Sequence, residues 1–413
     1  MRRLAWIVAV AVLSLFSAPA RAQYMYPASK NEVLTNRMSQ RPELRRLDEK
    51  VDSFMRYWEI KGATLAITRN DSLLFAKGYG WADVAARTPM APGTKMRLAS
   101  VSKLITAVGI MVLQEKGLLN LQTPVFGPFG VLNEFDPWIK DDNYYLITVE
   151  HLLRHQGGFT RRYGDPMFTT LAVMRQFSFS TPPSSAELTR KLVGLRLDFI
   201  PGTSQYYSNF GYLLLSMIIE KVSGQSYESF IQEEVFHKAG CYDFHLAGNF
   251  LSDRLPGESH YYMQRDSEDV PSFNGSGIYG PKCYGGNDIH ATLGAGAWVG
   301  SAPELARFVA SIDGDLRVPD ILGFFSIYQM TRRLSDEVYP LGWVDCKENG
   351  EWIRTGSFSG TQAVIKHFPD GECWIFISNT GTWRGPRFSK NVTGFFNKLR
   401  SRFSSQLPRQ DLF

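Results

Sequence analysis

The chain has 413 residues, 44% hydrophobic and 21% charged, which is ample material for a large buried core. Its formal net charge is +5, but Arg2, Arg3 and Arg21 lie in the first 22 residues; without them the charge falls to about +2, which disfavours nucleic acid as a partner. The four cysteines are scattered, with no C-x-x-C pair and no histidine cluster, so neither a metal site nor a cofactor is expected.

Residues 1–22 read as a cleavable secretory signal: Arg2 and Arg3, an apolar run from Leu4 to Phe16, then Ala20-Arg21-Ala22 as an A-x-A cleavage site. The mature chain is expected to begin at Gln23 and to be periplasmic or secreted. No other stretch is long and apolar enough to span a membrane, so no stable membrane insertion is expected after signal removal. In an oxidising compartment Cys241, Cys283, Cys346 and Cys373 permit two disulfides in three connectivities. At least one disulfide is expected, with free buried thiols as the other reading.

Residues 42–59 have a helical apolar spacing, and Ala63–Thr68 and Leu73–Ala76 form a hairpin about Asn70-Asp71. Helical periods then dominate from Ser100 to about Val309, including a helix from Phe210 to Val222 ended by Gly224, and another from Ser301, where Glu304 completes a capping-box pattern. Strand-like runs return at Leu341–Cys346, Trp352–Ser357, Gln362–His367 and Cys373–Ser378, and a last helix covers Lys390–Phe403. Strands from both chain ends, split by a helical middle, must share one antiparallel sheet if neither end is to leave an exposed edge. There is no internal repeat and no low-complexity linker.

The chemistry-bearing residues lie in that middle and in the late strands. Ser100 and Lys103 are three apart at the start of a helical stretch, about 60° around the helix and within side-chain reach, whereas Ser102 points away. A serine hydroxyl becomes a useful nucleophile only when a neighbour takes its proton, so Ser100 is the candidate nucleophile and Lys103 a candidate acceptor. At its ordinary pKa Lys103 would be neutral in under roughly one molecule in a thousand at pH 7, a cost of about 4–5 kcal/mol that burial or nearby positive charge reduces. Tyr207-Ser208-Asn209 follows a Pro-Gly turn, and Arg354-Thr355-Gly356-Ser357 lies in a late strand. Asn209 suits either a substrate or lysine contact or a helix N-cap, and Tyr207 either proton transfer or packing.

The order S-x-x-K, Y-x-N, then a cation-T-G resembles the serine β-lactamase and penicillin-binding-protein superfamily, and the tyrosine at position 207 resembles its class C branch with related esterases and DD-peptidases. Ile147–Phe159 is similar to the family stretch I-T-x-x-H-L-L-x-H-T-S-G-L, with Gln156-Gly157 replacing Thr-Ser, and Gly294–Ser301 is similar to its G-G-L-x-S-T segment. The resemblance covers about residues 45–400. It implies an α/β (α+β) fold: a single domain over 23–413 with its sheet part at about 45–90 and 335–405 and an inserted helical part at about 95–330.

The resemblance also implies roles. Ser100, Lys103 and Tyr207 are catalytic, with the first proton acceptor left open between Lys103 and Tyr207. Asn209, Arg354, Thr355, Gly356 and Ser357 bind substrate, the backbone N–H groups of Ser100 and Ser357 form the oxyanion hole, and His155 is structural. Arg354 departs from the usual Lys or His: it keeps the cation, suits a substrate carboxylate, and cannot shuttle a proton. The other reading has Arg354 on a solvent-facing edge strand. Candidate pocket walls are the loop 159–165 and the Tyr-rich span 260–284.

The expected activity is hydrolysis of an amide or ester through an acyl-enzyme, most of all in a D-amino-acid or cell-wall-type peptide, with a carboxylesterase or β-lactamase as alternatives. Partners are then a small-molecule or peptide substrate; oligomeric state is left open. An α/β-hydrolase would need G-x-S-x-G, but Gly356-Ser357-Phe358-Ser359-Gly360 places Phe at the centre. A dinucleotide site would need G-x-G-x-x-G, which Gly294–Ser301 lacks. A non-catalytic binding protein or sensor on this fold predicts damaged motifs, and here Ser100, Lys103, Tyr207 and Asn209 are all present.

Overall fold

The computed structural model describes residues 33–413 except 163 and 316, so the expected signal at residues 1–22 lies outside the described residues. Helix α1 (Arg45–Tyr57) leads into strands β1 (Gly62–Arg69), β2 (Ser72–Asp83), β3 (Thr88–Pro89) and β4 (Met96–Arg97), then helix α2 (Ser102–Glu115). Helices α3 (Val149–Leu153), α4 (Thr170–Phe177), α5 (Ser185–Leu192), α6 (Asn209–Ser223) and α7 (Tyr227–Ile231) follow. Short strands β5 (His245–Leu246), β6 (Val270–Pro271), β7 (Tyr279–Gly280) and β8 (Trp298–Gly300) precede helices α8 (Ala302–Ala310) and α9 (Phe324–Thr331). Strands β9 (Asp345–Cys346), β10 (Trp352–Phe358), β11 (Thr361–His367) and β12 (Glu372–Ser378) and helix α10 (Phe388–Phe403) complete the order.

Early and late strands join in one seven-stranded antiparallel sheet of order β3-β2-β1-β12-β11-β10-β9, the mixed α/β architecture expected from the sequence. The seam is β1 against β12, in register from Ala63 opposite Ser378 to Arg69 opposite Glu372. Strand alternation then sorts side chains between two cores. Leu65, Ile67, Val364, Trp374 and Phe376 pack with α1 and α10, while Ala66, Ala363, Ile365 and Ile375 face the helical part. Each large apolar side chain so buried contributes about 1.5–3 kcal/mol. Arg354 is opposite Ile365, which is opposite Ile375, so it shares the row that faces the helices. Helix α2 is buried from Ser102 through Leu113, the mark of a helix enclosed on all sides.

Two expectations need correction. The strand expected over Leu341–Cys346 forms only at Asp345–Cys346, because Gly342 adopts φ +78° and Leu341 N–H donates to the Met330 carbonyl instead of to a neighbouring strand. The expected disulfide is also absent among the described residues: Cys241, Cys283, Cys346 and Cys373 are all buried free thiols. Cys346 is opposite Trp352, Trp352 opposite His367, and His367 opposite Cys373. Three strand spacings, about 14 Å, therefore separate Cys346 from Cys373, twice what a disulfide spans.

Candidate active site

Ser100 lies in a single 3₁₀ turn, Ala99–Val101, immediately before α2. Ala99 holds φ +49°, a left-handed conformation that costs a non-glycine residue energy and persists only where its surroundings impose it. Strand β10 supplies that surrounding. A Cβ at Gly356 would stand 2.2 Å from the Leu98 carbonyl oxygen and 2.9 Å from Ser100 N, so glycine is what lets the strand reach the turn. The backbone N–H of Ser100 is thereby set beside the strand that carries Ser357. Strand β9 pairs only with Trp352 and Ile353, so the outer edge of β10 is left without a partner strand from Arg354 onward.

Lys103, the second residue of α2, is fully buried. Its Nζ donates to Asn209 Oδ1 and to the Ala295 carbonyl, each at 2.6 Å, and lies 3.3 Å from Ser100 Oγ. Two short carbonyl contacts offset part of the several kcal/mol of burying an ammonium group. Burial lowers the Lys103 pKa; Tyr207 works against that and Arg354 adds to it. Ser102 faces elsewhere, its Oγ accepting from Trp298 N at 3.1 Å.

The cap question at α6 is resolved by Ser208, whose Oγ accepts from Gly211 N at 3.0 Å, which frees the Asn209 side chain for Lys103. Tyr207, just before that cap, is half-buried, with its ring centroid 4.9 Å from Lys103 Nζ and its hydroxyl 3.5 Å from Arg354 Nη2. Enclosure raises its pKa, but the charges of Lys103 and Arg354 outweigh this and bring the phenol down to about 8. Its ring packs against the His155 imidazole at 4.4 Å between centroids. His155 Nδ1 accepts from Ser208 N at 3.1 Å, and burial together with Lys103 and Arg354 pushes its pKa well below the ordinary value. It is a neutral packing and hydrogen-bonding partner at pH 7.

Arg354 is 1% exposed, which removes the solvent-facing reading. Its Nε donates to the Ser100 carbonyl oxygen at 2.8 Å, its Nη2 donates to the same oxygen, and Nη2 stands 3.5 Å from the Tyr207 hydroxyl. The fork is thus turned onto the backbone of Ser100. Ser100, Tyr207, Asn209, Thr355, Gly356 and Ser357 line one open cleft of about 880 Å³. The Ser357 hydroxyl accepts from Gln362 Nε2 at 2.7 Å. No cluster of metal-ligating side chains occurs among the described residues.

The eight sequence-designated residues therefore converge. The Tyr-rich span does not: Tyr261 and Tyr262 receive the backbone N–H groups of Arg97 and Val84, and neither is among the cleft's lining residues. Sequence reasoning missed Phe168 and Tyr339, which also line the cleft, and the Ala295 carbonyl on Lys103. Only the last had a signal, the Gly-Ala-Gly-Ala segment that resembles a family motif.

Comparison with known proteins places the chain in a family. The Penicillin-binding protein 4* of Bacillus subtilis (strain 168) is 31% identical over 206 residues, half of this chain; the match spans 42% of that protein's length. Esterase EstB of Burkholderia gladioli is 28% identical over 282 residues, 65% of this chain and 69% of that protein. The D-amino acid amidase of Ochrobactrum anthropi SV3, solved with L-phenylalanine amide, superposes with a TM-score of 0.66 at 18% identity, covering 87% of this chain and 99% of that one. The Beta-lactamase family model matches residues 47–388, and the chain belongs to the Beta-lactamase family.

Proposed function

We propose that the protein is an exported serine hydrolase, one domain over residues 23–413, that cleaves an ester or amide through an acyl-enzyme on Ser100. The observation that carries this reading is the convergence at Ser100: Lys103 Nζ stands 3.3 Å from Ser100 Oγ and 4.9 Å from the Tyr207 ring centroid, and Ser100, Tyr207 and Asn209 line one open cleft. Ser100 Oγ attacks the substrate carbonyl while its proton passes to the Lys103–Tyr207 pair. The oxyanion is held by the N–H groups of Ser100 and Ser357. The pair then protonates the leaving group, and water hydrolyses the acyl-enzyme with the same groups acting in reverse. Tyr207, its pKa at about 8, is the acceptor better matched to neutral pH.

The cleft shapes the substrate reading. No Lys, Arg or His stands among the described residues lining the cleft that holds Ser100, and Arg354 is engaged with Ser100, so a neutral ester or amide is the first reading; Arg161, on the adjoining pocket that shares Tyr207 and Asn209, is the cation a terminal carboxylate would use under the second. A D-amino-acid or cell-wall-type peptide remains the second reading, favoured by the 31% identity to Penicillin-binding protein 4*. Steady-state turnover of the purified mature protein on an activated neutral ester, a penicillin and a D-Ala-D-Ala peptide tests both. Turnover fastest on the ester supports the first reading, and turnover fastest on the D-Ala-D-Ala peptide overturns it in favour of the second.

A further inference from the structure

Asn209 is held at both ends of its carboxamide. Its Oδ1 accepts from Lys103 Nζ at 2.6 Å, and its Nδ2 donates to Asp165 Oδ2, also at 2.6 Å. The two ends of a carboxamide are alike in shape but opposite in hydrogen bonding, and an ionised carboxylate accepts only from the N–H end. Asp165 is itself anchored: its Oδ1 accepts from Met167 N at 3.0 Å, and its carbonyl accepts from Thr169 Oγ1 at 2.9 Å. It stands in the segment before α4, on the wall of a small pocket that shares Tyr207 and Asn209 with the main cleft.

We propose that Asp165 is a positioning residue for the hydrolysis, locking the Asn209 carboxamide with its oxygen on Lys103 and so holding Nζ beside Ser100. The inference rests on Ser100 being the nucleophile. Without Asp165 the carboxamide can turn over, setting Nδ2 against Nζ, donor against donor. Lys103 then keeps the Ala295 carbonyl as its one remaining short partner and moves off Ser100. The same contact commits one of the two Nδ2 hydrogens and thereby fixes where the other points. The Asp165 charge also opposes the lowering of the Lys103 pKa by burial.

Asp165→Ala and the near-isosteric Asp165→Asn are compared with the full mature protein on a neutral p-nitrophenyl ester, with thermal melting of each variant and a Ser100→Ala control. Asp165→Ala is expected to lower kcat about 10- to 100-fold with KM changed less than about threefold, as for a displaced catalytic group. Asp165→Asn, whose amide can pair with Asn209 in either sense, should fall between. Removing a negative charge should also move the acidic limb of the pH–rate profile down. The other charged or titratable groups facing Lys103 and Tyr207 (Arg354 of β10, His155 after α3, Tyr212 of α6, and Tyr339) are unchanged in these variants. Wild-type kcat in both variants, or a loss that merely tracks a lower melting temperature with the limb unmoved, overturns the proposal. If Ser100→Ala retains turnover, the reading beneath it fails; if Ser100→Ala is inactive and Asp165→Ala is normal, only the role of Asp165 fails.

Discussion

Arg354 closes on the backbone of Ser100: Nε and Nη2 both donate to the Ser100 carbonyl oxygen, and Nη2 stands 3.5 Å from the Tyr207 hydroxyl. One side chain thus holds the turn that carries Ser100 and places a positive charge beside Tyr207, one of the two proposed proton acceptors. A guanidinium does this without titrating, where a Lys or His at the same place would exchange protons with its surroundings.

The two roles separate by substitution. Arg354→Ala removes a positive neighbour, so the Tyr207 pKa rises from about 8 and the acidic limb of the pH–rate profile moves up with it. Arg354→Lys keeps the charge and loses the fork. That variant should leave the limb near its wild-type place while kcat falls about tenfold or more, in line with losing a charge-assisted hydrogen bond. An unmoved limb in Arg354→Ala contradicts the electrostatic role.

Tyr207→Phe keeps the ring that packs on His155 and deletes only the hydroxyl. Turnover should fall at least about 100-fold, the lower range for losing an acid–base group. Melting should shift little, because the packing face is retained. A loss of only a few-fold would assign Tyr207 to packing.

The two ends of the site were unequally legible in the sequence. Ser100 and Lys103 follow from helical spacing, and the pairing of early with late strands follows from the need to leave no open edge. The direction of Arg354 does not, because a strand's alternation says which face a residue takes only once the register, Arg354 opposite Ile365, is known. The role of Ser208 as the α6 cap, which releases Asn209, depends on a difference of one residue in where the helix begins. Tyr339 reaches the site across a long chain separation and leaves no local pattern, whereas loop 159–165 and the Gly-Ala-Gly-Ala segment marked the neighbourhoods of Asp165 and Ala295 but not their contacts with Asn209 and Lys103.

The cysteines give a prediction opposite to the one that compartment and count suggest. Titration under denaturing, non-reducing conditions should find four free thiols, since all four are buried and unpaired, with Cys241 Sγ donating to the Glu304 carbonyl at 3.3 Å and Cys283 Sγ to the Tyr261 carbonyl at 3.6 Å. Two or fewer thiols would mean that at least one pair is bridged.

The central claim is that Ser100 carries the acyl group. Intact-mass analysis and peptide mapping after brief reaction with an activated ester should show one added acyl group, on the peptide containing Ser100, and Ser100→Ala should lose labelling and turnover together. An acyl group that maps to Ser102 or elsewhere, or labelling and turnover that persist in Ser100→Ala, would contradict it.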